Sequence, residues 1–294
     1  MRKLLLLIVV ALTCMATLVS CSKSEENLNN SGNITAGSLS KIFTSAELDT
    51  ITVLTLKGTI DARDFVTMRD SMPKLAVLDL SGTTIVDYNG ANGTLGTTSL
   101  DYPANTVPVY AFNKDTIGVI NLNLINIKLP SSVTSIGFGA FMDCCGLTSI
   151  SIPSSVTSIG IQAFMGCRSL TSVAIPSSLT SLGYGAFLGC SGLTNSITIP
   201  SGVTSIEDWT FGDCIGLKSI VIPSSVTSIG DYAFYFCMSL TSIYAYPTTP
   251  VDLSSSPNVF TYVPYTCTLF VHTASISAYK TAAVWKSFSN IVGM

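Results

Sequence analysis

The middle of the chain repeats one pattern of apolar and polar positions every 23 or 24 residues. Each unit opens with proline, continues as a Ser/Thr-rich stretch with two apolar positions, and then carries a Phe, a Cys and a segment close to Leu-Thr-Ser-Ile. The prolines that open the units are Pro130, Pro153, Pro176, Pro200 and Pro223. Self-similarity at a period of about 20–29 residues indicates a leucine-rich-repeat solenoid, because so small a unit buries its apolar side chains only by stacking on neighbours. The pattern predicts regular coils over residues 130–246.

Within one unit, the apolar positions predict a short strand and a core. Ile150 and Ile152 alternate with Ser151, so both isoleucines can point inward from a strand. Val133 and Ile136 would form a second inward row on the opposite wall. Stacked units would then build internal columns of Ile, Phe and Cys at a coil spacing of about 4.8 Å. The Cys column, interpreted as a small apolar filler, is Cys144, Cys167, Cys190, Cys214 and Cys237.

One glycine recurs directly after the second apolar row and predicts a special backbone position. A glycine there indicates either a turn with positive φ or a close approach of two backbones. In the fourth unit Glu207 takes this position. The third unit has one extra residue near Asn195, which predicts a one-residue bulge. The glycines are Gly137, Gly160, Gly183 and Gly230.

The segment before the regular units, residues 39–129, indicates degenerate leucine-rich repeats. Segments that begin at Leu54 and Leu78 resemble each other at a distance of 24 residues. Between them, Asp61 to Met72 has the apolar spacing of a short helix. Residues 86–104 are rich in Gly and Asn and suggest an irregular loop. We therefore expect a β-rich solenoid of short strands and turns with a short helix near its N-terminal end.

The segment after the regular units, residues 247–294, predicts an α/β cap. A solenoid must cover its open core and its last strand edge. An amphipathic helix near Ala274–Ala283, with Tyr279, Trp285 and Phe288 packing back onto the core, would do so.

The first residues have the pattern of an export signal. Residues 1–20 combine a basic start with an apolar stretch from Leu4 to Leu18, which is typical of a secretory signal. The sequence Leu-Val-Ser-Cys that ends at Cys21 resembles a bacterial lipobox, so we predict lipidation of Cys21. The alternative is an ordinary cleaved signal with a chance cysteine. Residues 21–38 would form a disordered tether because they are polar and rich in Gly, Ser and Asn.

Composition narrows the classes of partner and of chemistry. Of 294 residues only 11 % are charged, with a net charge of −3, so the clustered Lys and Arg that nucleic-acid binding requires are missing. The single histidine, His272, has no recognisable nucleophile and acid beside it in the pattern. Adjacent Cys144-Cys145 and the 23-residue Cys column do not have the spacing of a zinc knuckle. We predict no enzyme activity, no metal and no cofactor, and we consider Cys145 and Cys267 the thiols to test for oxidation.

Acidic residues gather in the fourth and fifth units. A calcium site or a pair of glycosidase carboxylates is conceivable there. Solvation of turns explains the same residues without any ligand, and we favour that interpretation. The residues are Glu207, Asp208, Asp213 and Asp231.

Two surfaces are candidates for ligand binding. The first is the outward column of the strands, with the candidate residues Lys128, Ser151, Thr198, Val221 and Tyr244. The second is the segment that crosses the coil, where Tyr184, Trp209 and Tyr232 lie at or beside one repeat position. These aromatic side chains could grip protein or sugar rings, or they could only shield the edge of the core.

Over about residues 40–294 the chain resembles the BspA-like leucine-rich-repeat family of bacterial surface proteins, in the repeats already described and in the tail around Ala278-Tyr279 and Trp285 to Phe288. The tail is similar to the closing segment of Bacteroidetes lipoproteins of this kind. The resemblance implies an outer-membrane lipoprotein exposed at the cell surface that binds a host or microbial surface protein. The alternative function is a glycan-capture lipoprotein of a nutrient-uptake system.

Overall fold

A computed structural model of the protein describes residues 33–96, 100–113 and 123–294. The predicted signal peptide, the lipidation of Cys21 and the tether up to residue 32 lie outside the described residues.

Most of the regular secondary structure in the described residues is very short strands, and nearly all of these strands pair in parallel. Its α-helices are Leu39–Ile42 (α1), Ser45–Leu48 (α2), Ala62–Ser71 (α3) and Ile276–Tyr279 (α4), and 3₁₀ turns cover Thr273–Ser275 and Trp285–Ser287. The strands are Asn33–Ile34 (β1), Val53–Ile60 (β2), Val77–Ile85 (β3), Tyr88–Gly90 (β4), Leu100–Tyr102 (β5), Thr106–Val107 (β6), Asn126–Lys128 (β7), Ser135–Ile136 (β8), Ser149–Ser151 (β9), Ser158–Ile159 (β10), Ser172–Val173 (β11), Ser181–Leu182 (β12), Ser196–Thr198 (β13), Ser205–Ile206 (β14), Ser219–Ile222 (β15), Ser228–Ile229 (β16), Ser242–Ala245 (β17), Thr268–Val271 (β18) and Asn290–Gly293 (β19).

The five regular units form five stacked coils, here called coils 1–5 after their opening prolines. Each coil contains a two-residue strand, a turn segment that crosses the coil, and a second strand that ends before the next proline. Equivalent residues pair between coils: Ile150 lies opposite Val173, and Ile159 lies opposite Ile136 and Leu182. The body therefore has a strand face (β7, β9, β11 and their equivalents), a short-strand face (β8, β10, β12, β14 and β16) and a turn face (residues 137–146 and their equivalents).

A column of phenylalanine rings fills the interior. Neighbouring rings lie 5.1–5.7 Å apart between centroids and are nearly parallel, at 2–17°. The prediction of an internal Phe column is confirmed, and the column extends beyond the regular coils at both ends. Its members, all buried, are Phe112, Phe141, Phe164, Phe187, Phe211, Phe234 and Phe260.

The Cys column lies beside the Phe column and is also buried. Each thiol donates to the backbone carbonyl oxygen of the Phe in the preceding coil. The S–O distance is 3.1 Å from Cys167 to Phe141 and 3.1 Å from Cys190 to Phe164, and the other column members repeat the contact. Burial raises the pKa of these thiols, well above the usual range in Cys167. The side chains therefore supply a hydrogen-bond donor as well as apolar volume.

The recurring glycine is required by close packing of backbones. A β-carbon on Gly160 would lie 2.9 Å from backbone atoms of the preceding coil, and one on Gly183 would lie 2.5 Å from Ile161 N. The recurring glycines are absent from the residues with positive φ, so the first of the two sequence interpretations is wrong here. Positive φ occurs instead two residues later, for example at Gln162.

The sheet of the strand face and the sheet of the short-strand face are both interrupted at coil 3. Its first strand, β12, pairs back with β10, whereas its second strand, β13, pairs forward with β15. The extra residue predicted as a bulge, near Asn195, precedes β13, and Glu207 follows β14 directly. On the turn face the stacking continues, because Phe187 N donates to Thr210 O at 2.9 Å. Coil 3 therefore joins two sheet segments through the turn face.

The folded body begins closer to the N-terminus than predicted. Strand β1 pairs with β2, and buried Asp64 accepts hydrogen bonds from the backbone N–H groups of Gly37 and Leu39 at 2.7 and 3.0 Å. Residues 33–38 therefore belong to the folded body, and the predicted tether boundary at residue 38 is wrong. The predicted short helix is α3. The segment 86–104 includes an antiparallel hairpin of β4 and β5 rather than only irregular loop.

The C-terminal segment extends the solenoid and then closes it. Strands β18 and β19 add to the sheet next to β17, and Phe260 continues the Phe column. The predicted helix is reduced to a 3₁₀ turn and the single turn α4. Tyr279 and Trp285 are buried, and Trp285 Nε1 donates to Val251 O at 2.8 Å. Among the described residues, no helix has the length and apolar character needed to cross a membrane.

Candidate functional site

The strand-face candidates form two groups. Lys128 pairs with Ser151 on one sheet segment, and its ammonium group lies 3.1 Å from Asp79. Thr198, Val221 and Tyr244 lie in register on the other segment. The interruption at coil 3 separates the groups, so the structure does not bring all five residues together. The C-terminal group is the more apolar, and Tyr244 stacks on Phe270 at 4.7 Å.

Many of the repeated hydroxyl groups are engaged in holding the coils together. Thr157 and Thr180 each donate to the carbonyl oxygen of the threonine one coil earlier at 3.2 Å. Thr171, directly before β11, does the same, with its Oγ1 3.2 Å from Thr148 O. Ser178 donates to Val156 O at 2.6 Å. The Ser/Thr composition is therefore largely explained by coil-to-coil bonding and does not by itself indicate a ligand surface.

The turn face of coils 4 and 5 and of the segment that follows them carries a continuous group of aromatic side chains, here called the aromatic ridge: Trp209, Tyr232, Tyr235, Phe236 and Tyr262. Trp209 and Tyr232 stack at 4.4 Å and 8°. Tyr235 contacts both of these rings and also Tyr262, each at 5.4 Å. Tyr262 is 59 % exposed. The ridge is thus partly open to solvent along its whole length.

Four ridge residues have positive φ, which is rare for side chains of this size. The φ values are 59° at Trp209 and Tyr232, 60° at Phe236 and 66° at Tyr262. The position of Trp209 and Tyr232 is filled by Gly139, Gln162 and Gly185 in coils 1–3. The solenoid therefore does not require an aromatic residue at this position.

The structure brings the predicted residues Trp209 and Tyr232 together and adds neighbours that the sequence interpretation missed. Tyr235, Phe236 and Tyr262 were not predicted. Phe236 could have been found, because it occupies the repeat position of Asp143 and was the only aromatic residue in that column. Tyr262 lies two residues after Phe260, just as Phe236 lies two residues after Phe234. The unit that contains Tyr262 departs from the repeat pattern, so the sequence did not reveal this position.

Beside the ridge lies a groove of about 320 Å³ that crosses coils 2 and 3. Its walls include Tyr184, Leu188 and Trp209, and Gly166 and Gly189 form part of its floor. These glycines occupy the position that Asp143 and Asp213 fill in coils 1 and 4. Three charged side chains also line the groove: Asp143 and Asp213, from coils 1 and 4 at its two ends, and Arg168 from coil 2.

Two of the four clustered acids accept hydrogen bonds from backbone groups of the following coil. Asp208 accepts from the N–H of Asp231 at 2.8 Å, and Asp231 in turn accepts from the N–H of Asn258 at 2.8 Å. Within the described ranges, no group of three His, Cys, Asp or Glu side chains is arranged to hold a metal ion. His272 is exposed in the C-terminal segment, before the 3₁₀ turn that begins at Thr273.

Of the two thiols considered for oxidation, Cys267 is buried, and burial raises its pKa to about 12. Cys145 is half-buried, with its Sγ atom 3.5 Å from Gly166 O. All thiols of the described residues are free rather than disulfide-bonded.

Comparison with solved structures finds proteins that are similar at low sequence identity. A leucine-rich repeat protein of T. pallidum, TpLRR, is 24 % identical with a TM-score of 0.46, and the match covers 64 % of this chain and 78 % of that one. A leucine-rich repeat protein of Bacteroides ovatus is 20 % identical with a TM-score of 0.38, over 83 % of this chain and 68 % of that one. The pneumococcal vaccine antigen PcpA is 18 % identical with a TM-score of 0.38, over 82 % and 67 %.

Comparison with families of known proteins is more specific. No curated protein matches the chain significantly. The BspA type leucine rich repeat region matches in six copies, over residues 107–241 and 194–262, which together span just over half of the sequence. The matched residues include all five regular coils, the Phe column and the Cys column. The chain belongs to the BspA-type leucine-rich-repeat family.

Proposed function

We propose that this protein is a non-enzymatic binding scaffold, displayed at the cell surface, that presents its turn face to a host or microbial surface protein. The aromatic ridge carries the proposal. Tyr and Trp side chains in a connected, partly exposed group are the residues that most often supply binding energy in protein interfaces. The positive φ of Trp209 and Tyr232 lowers folding stability by on the order of 1–2 kcal/mol per residue. This cost supports a role for the two rings other than stabilising the fold.

Display would follow from the predicted signal and from lipidation of Cys21. Two or more acyl chains anchor a protein stably, whereas a single chain does so marginally. The proposed location is the outer membrane, with the solenoid on the outer side. Protease treatment of intact cells should release the body, and Cys21→Ser should abolish its membrane attachment. Protection of the body from protease in intact cells would contradict outward display.

The binding proposal is tested with ridge variants on a panel of immobilised host-matrix proteins and microbial cells. The double variant Tyr235→Ser/Tyr262→Ser removes one half-buried and one exposed ring outside the core, and we expect saturable binding to fall at least about tenfold. The matched control is Tyr244→Ser, which removes a ring from the strand face and should leave binding unchanged. Absence of saturable binding across the panel, or equal loss in the ridge and control variants, would contradict the proposal.

A second candidate function is glycan capture in nutrient uptake. The observation that favours it is the groove beside Trp209, which combines an aromatic wall with charged groups at its ends. Concave sites with a few polar groups around apolar walls are typical of small-molecule binding.

A further inference from the structure

We infer that the groove over coils 2 and 3 binds one or two rings of a neutral saccharide, with a sugar ring stacked on the open face of Trp209. This inference deepens the second candidate function and rests on it. The groove shares Trp209 with the aromatic ridge, but it does not include Tyr235 or Tyr262, the two rings removed in the test of protein binding.

The groove exists because glycine replaces larger side chains in neighbouring coils. Asp143 and Asp213 occupy one repeat position in coils 1 and 4, and both have a φ of 55°. The same position is Gly166 in coil 2 and Gly189 in coil 3, with φ of 73° and 72°. Two successive coils thus lack a side chain there. The Asp143 carboxylate reaches over Gly166, and the open space lies beside Gly189, where a β-carbon would be 3.7 Å from its nearest neighbour. Its volume of about 320 Å³ lies at the small end of ligand pockets.

Among the described residues, one face of the Trp209 indole has no aromatic ring stacked on it. Tyr232, one coil later, covers the other face at 4.4 Å. In the preceding coil the equivalent position is Gly185, which has no side chain to stack on the indole. Trp209 itself lines the groove, which lies over the earlier coils. An aromatic face carries negative potential and attracts the slightly positive C–H groups of a pyranose ring.

The polar groups that line the groove suit hydroxyl groups rather than an anion. Asp143 and Asp213 provide acceptors, and Arg168 provides several donors in a fixed plane. In the described structure no side-chain hydrogen bond or ion pair engages Arg168. Two carboxylates and one guanidinium give this rim a net negative charge, which disfavours sulfated or uronic-acid polymers. A neutral saccharide can contact all three kinds of group, because its hydroxyl groups bind the carboxylates and the guanidinium and its C–H groups pack on the ring face.

Other coils of the protein suggest substitutions that fill the groove without a steric clash, at a positive φ that non-glycine residues already adopt in those coils. A β-carbon on Gly189 would lie 3.7 Å from its nearest neighbour, and Asp is already accepted at this repeat position with positive φ. Gly189→Asn therefore adds a side chain to the floor without adding charge. Gly185→Gln copies Gln162 from coil 2, which has a φ of 55°, and places a side chain beside the open face of Trp209.

The test measures binding of maltotetraose, cellotetraose, laminaritetraose and xylotetraose to the folded body by calorimetry and by tryptophan fluorescence. The chain has two tryptophans, and Trp285 is only 1 % exposed, so a saccharide-dependent fluorescence change reports on Trp209. We expect saturable binding of at least one tetrasaccharide, weakened at least about tenfold by Gly189→Asn and by Gly185→Gln. The matched control is Gly96→Asn, at a φ of 73° and with open space around it, which should bind as the wild type does.

Three outcomes would overturn the inference. The first is the absence of heat and of fluorescence change with all four saccharides. The second is binding that both groove variants retain. The third is binding of heparin fragments but of no neutral saccharide. Circular dichroism and thermal melting of each variant separate loss of binding from loss of folding. Ridge-dependent binding to proteins or cells would survive any of these results, so failure here is distinguishable from failure of the proposed function.

Discussion

The thiol of Cys190 lies 3.1 Å from the carbonyl oxygen of Phe164, and the same contact recurs along the column. The sequence predicts a buried column of small apolar residues, and the structure confirms the burial. The sequence could not predict the hydrogen bond, because the S–O distance depends on how far one coil is shifted relative to the next. Phe164 O also accepts from Cys167 N at 3.2 Å, so the thiol provides a second bond to a carbonyl that already has one.

The mutation Cys190→Ala tests this double role. It leaves a small cavity and removes one bond, and we expect the free energy of unfolding to fall by about 1–2 kcal/mol. Chemical denaturation measures the change. The matched control is Cys145→Ala, which alters a half-buried thiol outside the column and should change stability by less than about 0.5 kcal/mol. Equal effects in the two variants would show that column membership confers no special stability.

At the scale of the turn and strand elements, backbone proximity selects the recurring glycine. The sequence correctly predicts a special backbone position at Gly160 but leaves two causes open. The structure selects close approach and places the positive φ two residues later, at Gln162. Sequence spacing alone could not decide, because both causes favour glycine. Similarly, the sequence shows the extra residue near Asn195. Its position next to the break in sheet pairing is seen only in the structure, which shows which strands pair.

Gly160→Ala should destabilise the protein by at least about 2 kcal/mol, because the added carbon would lie 2.9 Å from backbone atoms of the preceding coil, which cannot move without disturbing the stack. Thermal melting of the variant measures the loss. Glu207→Ala is the matched control, since that position of coil 4 already carries a β-carbon, and its effect should stay below about 1 kcal/mol. A Gly160→Ala protein as stable as the wild type would refute close approach as the reason for glycine.

At the scale of the whole molecule, six buried thiols make stability sensitive to alkaline pH. Burial raises the folded-state pKa of each, as in Cys144, Cys214 and Cys267. An unfolded thiol ionises near pH 8.5, so above that pH the folded state holds more protons than the unfolded state. Stability from these groups is complete below about pH 8.5 and is lost as pH rises towards the folded-state pKa. The loss approaches about 1.4 kcal/mol per pH unit for each thiol.

We therefore expect the melting temperature to fall steeply between about pH 8.5 and pH 10.5, with little change between pH 6 and pH 8. Melting curves across this range test the prediction. In Cys190→Ala the melting temperature should fall less steeply with pH above about pH 8.5, because one of the six buried thiols is missing. A flat profile up to pH 10.5 would show that the thiols ionise equally in both states.

The rings of Phe141, Phe164 and Phe187 stack almost identically, with centroids 5.1 and 5.2 Å apart. The length of the body can therefore change in steps of one coil. Excision of residues 153–175 joins Ile152 to Pro176 and recreates a junction the chain already contains. We expect a soluble, cooperatively melting protein shorter by one coil, or about 4.8 Å. Small-angle scattering would detect the shortening, and an unfolded product would refute interchangeability. Duplication and deletion of such units would let a lineage adjust how far the body reaches without redesigning its interior.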